Sequence, residues 1–113
     1  YYRGTFEKCV KLKKITSSSL ANVGKYDFKD CTRLESITLG KNLKSIGDSA
    51  FNNDRKLKSV NIKSTKLSKV GKSAFSKIYS KAKFTVPKSK LKKYKKLIKS
   101  NGKAPKNVKF IAK

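Results

Sequence analysis

Residues 34–51 read LESITLGKNLKSIGDSAF, and the last six positions of this stretch recur elsewhere in the chain. The three copies are Val23-Gly24-Lys25-Tyr26-Asp27-Phe28, Ile46-Gly47-Asp48-Ser49-Ala50-Phe51 and Val70-Gly71-Lys72-Ser73-Ala74-Phe75, at intervals of 23 and then 24 residues. Self-similarity at a fixed step of this length is typical of a solenoid, in which each unit buries its apolar face only by stacking on its neighbours. The pattern therefore predicts a repeat array, and it favours a binding or scaffolding role over catalysis.

The first part of the quoted stretch, residues 34–39, contains the alternation of apolar and polar residues that is expected of a half-buried strand. Equivalent segments lie at residues 12–17, 57–62 and, more loosely, 83–86. One apolar column keeps steps of 22, 23 and 24 residues through Ile15, Ile37, Val60 and Phe84. We expect these strands to stack as a parallel ladder with about 4.8 Å between rungs, with the apolar residues inward and the polar residues in solvent.

A second short apolar stretch, residues 43–46, follows the strand predicted at residues 34–39. It leads to Gly47, where the absence of a side chain permits a positive φ angle at a corner of the coil. Residues 48–53 are then predicted to form one short helical turn, with Ala50 and Phe51 filling the interior of the coil. Because the phenylalanine recurs at the same place in each unit, we interpret it as a core residue rather than a ligand contact.

Beyond Phe75 the pattern changes. Pro87 has no amide hydrogen to donate to a ladder and is expected to end the strand before it. Residues 88–99 have the spacing of an amphipathic helix, Asn101-Gly102 is a plausible helix end, and residues 107–111 are predicted to form a last strand. We therefore predict an α/β repeat solenoid of 22 to 24 residue coils with short parallel strands and short helical turns, closed by a C-terminal helix-strand cap. The predicted division is residues 1–86 for the repeats and 87–113 for a Lys-rich cap.

Charge is distributed unevenly along the chain. Twenty-eight Lys and three Arg face six acidic residues and no His, for a net charge of +25. Residues 1–56 contain twelve basic and all six acidic residues, whereas residues 57–113 contain nineteen Lys and no acid. This asymmetry suggests a polyanionic partner or a highly solvated surface. Lys is a hydrated point charge without the planar fork of Arg, so such a surface fits diffuse attraction better than base recognition.

The two cysteines occupy the same place in successive units, since Cys9 follows Phe6 and Cys31 follows Phe28 by three residues. The next unit has Asp54 at that place. We interpret both cysteines as buried packing thiols, with a disulfide between stacked coils as the alternative. The spacing does not match a metal-binding pattern, and we predict neither a metal site nor a cofactor.

Several classes of function are disfavoured by the residues that the chain lacks. Without His, without a Ser or Cys beside an obvious base, and with six scattered carboxylates, the chain is predicted not to be an enzyme. No window approaches the roughly 18 apolar residues that a membrane helix needs, so we predict no membrane insertion. The chain does not begin with Met, and Gly4-Thr5-Phe6 already fits the repeat. We therefore expect a fragment whose N-terminal end is truncated.

The pattern Leu34-x-x-Ile37-x-Leu39-x-x-x-Leu43-x-x-Ile46-Gly47-x-x-Ala50-Phe51 resembles the BspA-like class of bacterial leucine-rich repeats over roughly residues 4–86. Departures are Ser17 at the inward place of Leu39 and Tyr26-Asp27 where Ser49-Ala50 stand. The tail after Pro87 is similar to the C-terminal end of large secreted proteins of this class. The resemblance implies a location outside the cell or on the bacterial surface and binding of a protein or extracellular matrix ligand. It carries no catalytic residues.

Two hypotheses for function follow. The first is a protein-interaction or adhesion module that binds through the polar residues of the strand face, namely Thr16, Ser36, Thr38, Ser59, Asn61, Lys63 and Thr85. The second is attachment to an anionic cell-wall or host polysaccharide, such as teichoic acid or a glycosaminoglycan, through Lys88, Lys92, Lys93, Lys95, Lys96 and Lys99. The same lysines also fit a coat that keeps the solenoid soluble and prevents association between its edges. Nucleic acid is a poorer fit, because the tyrosines form no stacking motif and Arg is scarce.

Overall fold

The fold follows from eight short strands and one helical segment in a computed structural model that describes residues 11–113. The strands are β1 (Lys14–Ser17), β2 (Asn22–Val23), β3 (Ser36–Leu39), β4 (Ser45–Ile46), β5 (Ser59–Ile62), β6 (Lys69–Val70), β7 (Lys83–Val86) and β8 (Lys109–Ala112). The helical segment comprises a 3-10 turn (Lys88–Lys90), the α-helix α1 (Leu91–Lys96) and a π-helical turn (Leu97–Asn101). Each of the first three described coils thus contributes one longer strand and one two-residue strand, whereas β7 and β8 have no two-residue strand after them.

The longer strands form one parallel sheet in the order β1-β3-β5-β7-β8. The predicted apolar column is confirmed, because Ile15 pairs with Ile37, Ile37 with Val60 and Val60 with Phe84. The last strand, β8, continues the ladder in register, with Phe110 beside Phe84. The C-terminal segment therefore supplies a fifth rung of the same sheet.

The second apolar stretch of each coil also becomes a ladder. Strands β2, β4 and β6 form a three-stranded parallel sheet in that order, with Val23 beside Ile46 and Ile46 beside Val70. These three side chains are buried, as are Leu43 and Leu67 just before the strands. The core lies between the two sheets, and both sheets turn their apolar residues toward it.

Residues 48–53 differ from the predicted short helical turn. The amides of Ser49, Phe51 and Asn53 donate to carbonyls of the following coil at 2.8–3.0 Å, and the amides between them donate to the carbonyl three residues earlier. Ser49 and Asn53 have positive φ angles of 53° and 68°. The segment is therefore a run of successive turns. Half of its amides donate hydrogen bonds to the neighbouring coil, and a residue in the left-handed conformation interrupts each turn.

Gly47 does not have the positive φ angle expected at this corner, because left-handed residues occur instead at Ser49 and its counterparts. The reason for glycine is a close approach of two coils. A Cβ at Gly47 would lie 2.6 Å from the amide nitrogen of Lys25, and one at Gly71 would lie 2.4 Å from that of Asp48. Any larger residue would push neighbouring coils apart at this corner.

Phenylalanines stack through the core along the solenoid axis, as the recurrence of this residue predicts. The rings of Phe28, Phe51 and Phe75 are nearly parallel, with centroids 5.3 and 5.2 Å apart. Phe84 meets Phe75 edge to face at 5.1 Å and stacks on Phe110 at 5.2 Å. Geometries of this kind stabilise aromatic pairs beyond the area they bury. The column joins the three repeated turns to the last strands of the sheet.

The helical segment closes the C-terminal end of the core. Tyr94 and Ile98 are fully buried, and the Tyr94 hydroxyl donates to the Ser64 carbonyl at 2.7 Å and accepts from the Leu67 amide at 3.1 Å. The helix ends at Gly102, where a Cβ would lie 2.6 Å from the carbonyl oxygen of Ile98. The predicted helix and its end are thus confirmed, and the last strand begins two residues later than predicted.

The position shared by the cysteines is buried in every described coil. Cys31, Asp54 and Ile78 occupy it, and Asp54 Oδ1 accepts a hydrogen bond from the Cys31 amide at 2.8 Å. The burial predicted for Cys31 is confirmed. Cys9 and the repeat copy at residues 4–6 lie outside the described residues, so the choice between packing thiols and a disulfide stays open.

Candidate protein-binding face

The outer side of the large sheet brings the predicted strand-face residues together. Side chains alternate between the two sides of a strand, so the parallel register arranges the outward residues in rows that cross the strands. The start row contains Lys14, Ser36, Ser59, Lys83 and Lys109. The middle row contains Thr16, Thr38, Asn61, Thr85 and Ile111. Six of the seven predicted residues lie in these two rows.

The seventh predicted residue, Lys63, follows β5 directly and is exposed. It lies between two shallow depressions at the carboxyl ends of the strands. One has a volume of about 380 Å³ and includes Thr16, Thr38 and Lys41 in its lining, and the other has a volume of about 360 Å³ and includes Asn61, Thr85 and Lys113. Lys63 lines both. The face is therefore concave at this edge, and the predicted residues line it.

Sequence reasoning missed Lys14 at the first strand of the start row, and the other residues it missed lie on the last two strands. Lys83, Lys109 and Ile111 share the face, and Ile111 is one of two large apolar side chains in the described part of the chain that are exposed, at 38%. The alternation in residues 107–111 indicated a strand. The step from Phe84 to Phe110, however, is 26 residues, whereas the repeats are 22 to 24 residues long. The inserted helix conceals the fact that β8 belongs to the same ladder.

The predicted lysine surface is a separate region. Lys88, Lys92, Lys93, Lys95 and Lys96 are exposed on the helical segment, and Lys99 is half-buried. They lie on the side opposite Tyr94 and Ile98, which face the core. The structure thus gathers most of the predicted polyanion-binding residues on the outer side of the cap, and Lys88 adjoins the end of β8, where its amide donates to the Lys113 carbonyl at 3.0 Å.

Acidic groups are concentrated near the N-terminal coils. Within residues 11–113 the structure contains one ion pair, in which Lys29 Nζ lies 4.0 Å from Asp30 Oδ2. No acidic residue follows Asp54 in the sequence. The lysines of the later coils and of the cap therefore have no carboxylate from residues 11–113 within ion-pair distance.

Asp54 itself is a buried carboxyl group with one unsatisfied oxygen. Its Oδ2 is buried and has no hydrogen-bond partner in the described structure. The pKa of Asp54 is raised to about 9, chiefly because burial disfavours the charged form; the hydrogen bond from the Cys31 amide lowers it in part, and the nearby Asp30 carboxylate contributes to the rise. The side chain is therefore protonated at neutral pH, and it serves the core rather than a surface site.

A third depression lies where the cap meets the small sheet. It has a volume of about 450 Å³ and is lined by three lysines, Lys69, Lys72 and Lys103, together with Asp48. Asp48 Oδ1 accepts a hydrogen bond from the Lys72 amide at 2.9 Å. A carboxylate fixed within the cluster opposes the entry of an anion, so this depression is a weaker candidate than the strand face.

Residues 11–113 contain no group of three or more His, Cys, Asp or Glu side chains placed to hold a metal ion. None of the helices in that range has the length and apolar character required to cross a bilayer.

Comparison with known families agrees with the repeated pattern and the stacked strands. The family model described as the BspA type leucine rich repeat region matches residues 2–111 in six copies. The match includes the helical segment and β8 as well as the coils before them. Searches of the curated proteins and of the solved structures found no match. The repeat and this match together show that the chain belongs to the family of BspA-type leucine-rich repeat proteins.

Proposed function

We propose that the chain is a protein-interaction module of a secreted or surface-displayed bacterial protein, and that it binds a protein or extracellular matrix ligand through the outer side of its large sheet. Leucine-rich repeat domains generally bind proteins and are generally non-enzymatic. BspA-type repeats typically occur in surface or secreted bacterial proteins. The family thus supports the general role, and the choice of face rests on the geometry of the sheet.

The observation that carries the choice of face is the in-register middle row, Thr16, Thr38, Asn61 and Thr85. Backbone ladder bonds hold these side chains at a fixed spacing on a rigid sheet, so that little conformational entropy is lost when a partner binds. Hydroxyl and amide groups both donate and accept hydrogen bonds. Because the side chains are small, the bulky anchor residues of the interface are expected on the partner.

The test uses the triple variant Thr38→Ala, Asn61→Ala and Thr85→Ala. Binding to immobilised purified matrix proteins, such as collagen and laminin, is measured by surface plasmon resonance. The matched control, Asn22→Ala, Ser45→Ala and Ser68→Ala, removes three polar side chains on or beside the small sheet. We expect the face variant to bind about tenfold more weakly, which corresponds to about 1.4 kcal/mol, and the control to bind like the parent chain. Equal affinity of both variants for a matrix protein that the parent binds would contradict the choice of face.

A second candidate function is attachment to an anionic polymer through the cap. The supporting observation is that five of its lysines are exposed on one side of the helical segment and that the last acidic residue is Asp54. A polymer of closely spaced phosphates or sulfates would displace counterions along such a surface. Its binding would then depend steeply on salt.

The test of this second function is binding to purified cell-wall sacculi and to heparin while salt rises from about 50 to 200 mM. By analogy with DNA, six to ten contacts with anionic groups would cost about a thousandfold in affinity over this range. The variant Lys92→Gln, Lys93→Gln, Lys95→Gln and Lys96→Gln should weaken binding and reduce the salt dependence. Unchanged binding of this variant would exclude the helical lysines as the attachment site.

A further inference from the structure

The two halves of the binding face differ in charge although their strands have the same geometry. On β1 and β3 the start row holds Lys14 and Ser36, the residues that follow these strands are Ser18 and Gly40, and Lys41 is the one lysine, apart from Lys63, that lines the depression there. On β7 and β8 the start row holds Lys83 and Lys109. At the carboxyl ends of the strands, Lys63 follows β5 and Lys113 follows β8. Lysines therefore line both edges of the C-terminal half of the face.

We propose that this C-terminal half is a docking groove for an acidic segment of a partner protein, which lies along the middle row between the two lysine edges. The proposal rests on the proposed function, because it names the kind of protein that the strand face accepts. It adds that the partner is recognised by carboxylates on both sides of its chain. The groove is defined by its edges, Lys83 and Lys109 on one side and Lys63 and Lys113 on the other.

The width of the groove suits one polypeptide chain. The two edges are four residues apart along a strand, which corresponds to about 13 Å between Cα atoms at the strand rise of about 3.3 Å per residue. A chain along the middle row would have its backbone over Asn61, Thr85 and Ile111, with an edge on either side. Aspartate or glutamate side chains from that chain would then meet the lysine side chains of both edges.

The floor of the groove favours a protein over a polysaccharide or a nucleic acid. Asn61 and Thr85 offer hydrogen-bonding groups suited to a peptide backbone, and the exposed Ile111 offers an apolar contact that a sulfated or phosphorylated polymer would not use. The depression at Asn61 and Thr85 also includes Lys63, Pro87 and Lys113 in its lining. The polar and apolar contacts thus lie between the charges, which is the arrangement expected of a protein interface with a charged rim.

The charge of the groove is available to a partner. The four edge lysines are exposed. The one ion pair within residues 11–113 joins Lys29 to Asp30, so it uses none of the edge lysines. Complementary charge at the rim of an interface guides association and selects among partners more than it adds affinity. The groove is therefore expected to discriminate strongly between acidic and neutral segments.

The test compares two variants that differ only in where charge is removed. The groove variant is Lys63→Gln, Lys83→Gln, Lys109→Gln and Lys113→Gln, and the cap variant is Lys92→Gln, Lys93→Gln, Lys95→Gln and Lys96→Gln. Each lowers the net charge of +25 by four. All eight lysines are exposed, so both variants are expected to fold, and circular dichroism with thermal melting checks this.

The probe is a phage-displayed library of random linear peptides selected on the parent chain, with dextran sulfate as an anionic polymer that lacks peptide groups. We expect the selected peptides to be enriched in Asp and Glu. They should bind the groove variant about tenfold more weakly than the cap variant. Dextran sulfate should not distinguish the two variants by more than about twofold.

Three results would overturn the proposal. Peptides that depend on the groove but show no acidic enrichment would leave the strand face as a binding site and exclude an acidic partner. Acidic peptides that bind both variants equally would show that overall charge, rather than the groove, attracts them. A selection in which no peptide is affected by the groove variant or by the triple alanine variant of the face would overturn the proposed function as well.

Discussion

The N-terminal coils and the C-terminal half of the molecule share one interior and have different exteriors. Inside, Ile37 pairs with Val60 and Val60 with Phe84, and the phenylalanine column continues from Phe28 to Phe110. The exteriors differ in charge, because all six acidic residues of the sequence, the buried Asp54 among them, lie before residue 57, and every ionisable side chain after it other than tyrosine is a lysine. Stacking therefore fixes the inward positions and the close contacts between coils, whereas the outward positions are free to determine what the array binds.

The shared interior should be the part of the molecule most sensitive to substitution. Replacing Phe51 by Ala removes the middle ring of the column and leaves a cavity between the coils, because Phe51 is fully buried and stacks on both Phe28 and Phe75. The free energy of unfolding should fall by about 3–5 kcal/mol. Chemical denaturation followed by circular dichroism measures it.

The control for that change lies on the exterior. Thr38→Ala removes a half-buried side chain from the binding face and should change the free energy of unfolding by no more than about 0.5 kcal/mol. Comparable losses for Phe51→Ala and Thr38→Ala would contradict the separation of a structural interior from a replaceable exterior.

The second prediction concerns the one buried carboxyl group in the described core. The pKa of Asp54 is raised from 3.8 to about 9, so the folded chain holds a proton there that the unfolded chain releases above about pH 4. The free energy of unfolding therefore falls as pH rises between the two pKa values, by about 1.4 kcal/mol for each pH unit, and the contribution of the neutral carboxyl is lost by pH 9. Denaturation measured between pH 5 and pH 8 should show the decline.

Asp54→Asn removes the ionisation and should flatten this part of the curve, since the amide oxygen still accepts the hydrogen bond from Cys31. Asp48→Asn is the control, because Asp48 is half-buried and its carboxylate accepts a hydrogen bond from the Lys72 amide. A decline that persists unchanged in Asp54→Asn would show that another group causes it.

The third prediction tests how the cap is attached to the coils. Tyr94→Phe keeps the ring but removes the hydroxyl that bonds Ser64 and Leu67, so two buried backbone groups lose a partner. We expect a loss of about 1–3 kcal/mol in the free energy of unfolding. In the variant, the rate of hydrogen exchange should rise, relative to the parent chain, more at the Leu67 amide than at the Ile46 amide in the preceding coil. A uniform change at both amides would indicate global destabilisation instead of a local loosening of the cap.

The smallest effect concerns the left-handed residues that end each run of turns. Asp30, Asn53 and Lys77 have φ angles of 61°, 68° and 62° at equivalent places. Asn tolerates this conformation better than Lys, so Lys77→Asn should stabilise the chain by about 0.5 kcal/mol. The melting temperature of Lys81→Asn provides the comparison, because Lys81 is exposed and does not have a positive φ angle. An equal rise in both variants would attribute the gain to the lost charge.

The alternation around Ile37 was enough to predict the strands, their parallel register and the rows of the binding face. It was not enough to predict the turns at residues 48–53, because their amides are divided between their own segment and the next coil. The groove depends on β8, whose place in the ladder is hidden by the helix that precedes it. An acidic residue at the place of Cys31 is unexpected from the sequence. The burial of Asp54 and its raised pKa show that it packs in the core there as a neutral carboxyl group.

Binding of acidic protein segments to the C-terminal half of the strand face can be measured directly by an NMR titration of the isotope-labelled chain with poly-L-glutamate. If the C-terminal half of the strand face binds acidic protein segments, the largest amide shift changes will occur at Asn61, Lys63, Thr85, Lys109 and Ile111. The amides of residues 92–96 will then change less, although those residues include as many lysines as the edges of the groove. Changes that are largest at residues 92–96, or equal at all exposed lysines, would contradict the claim.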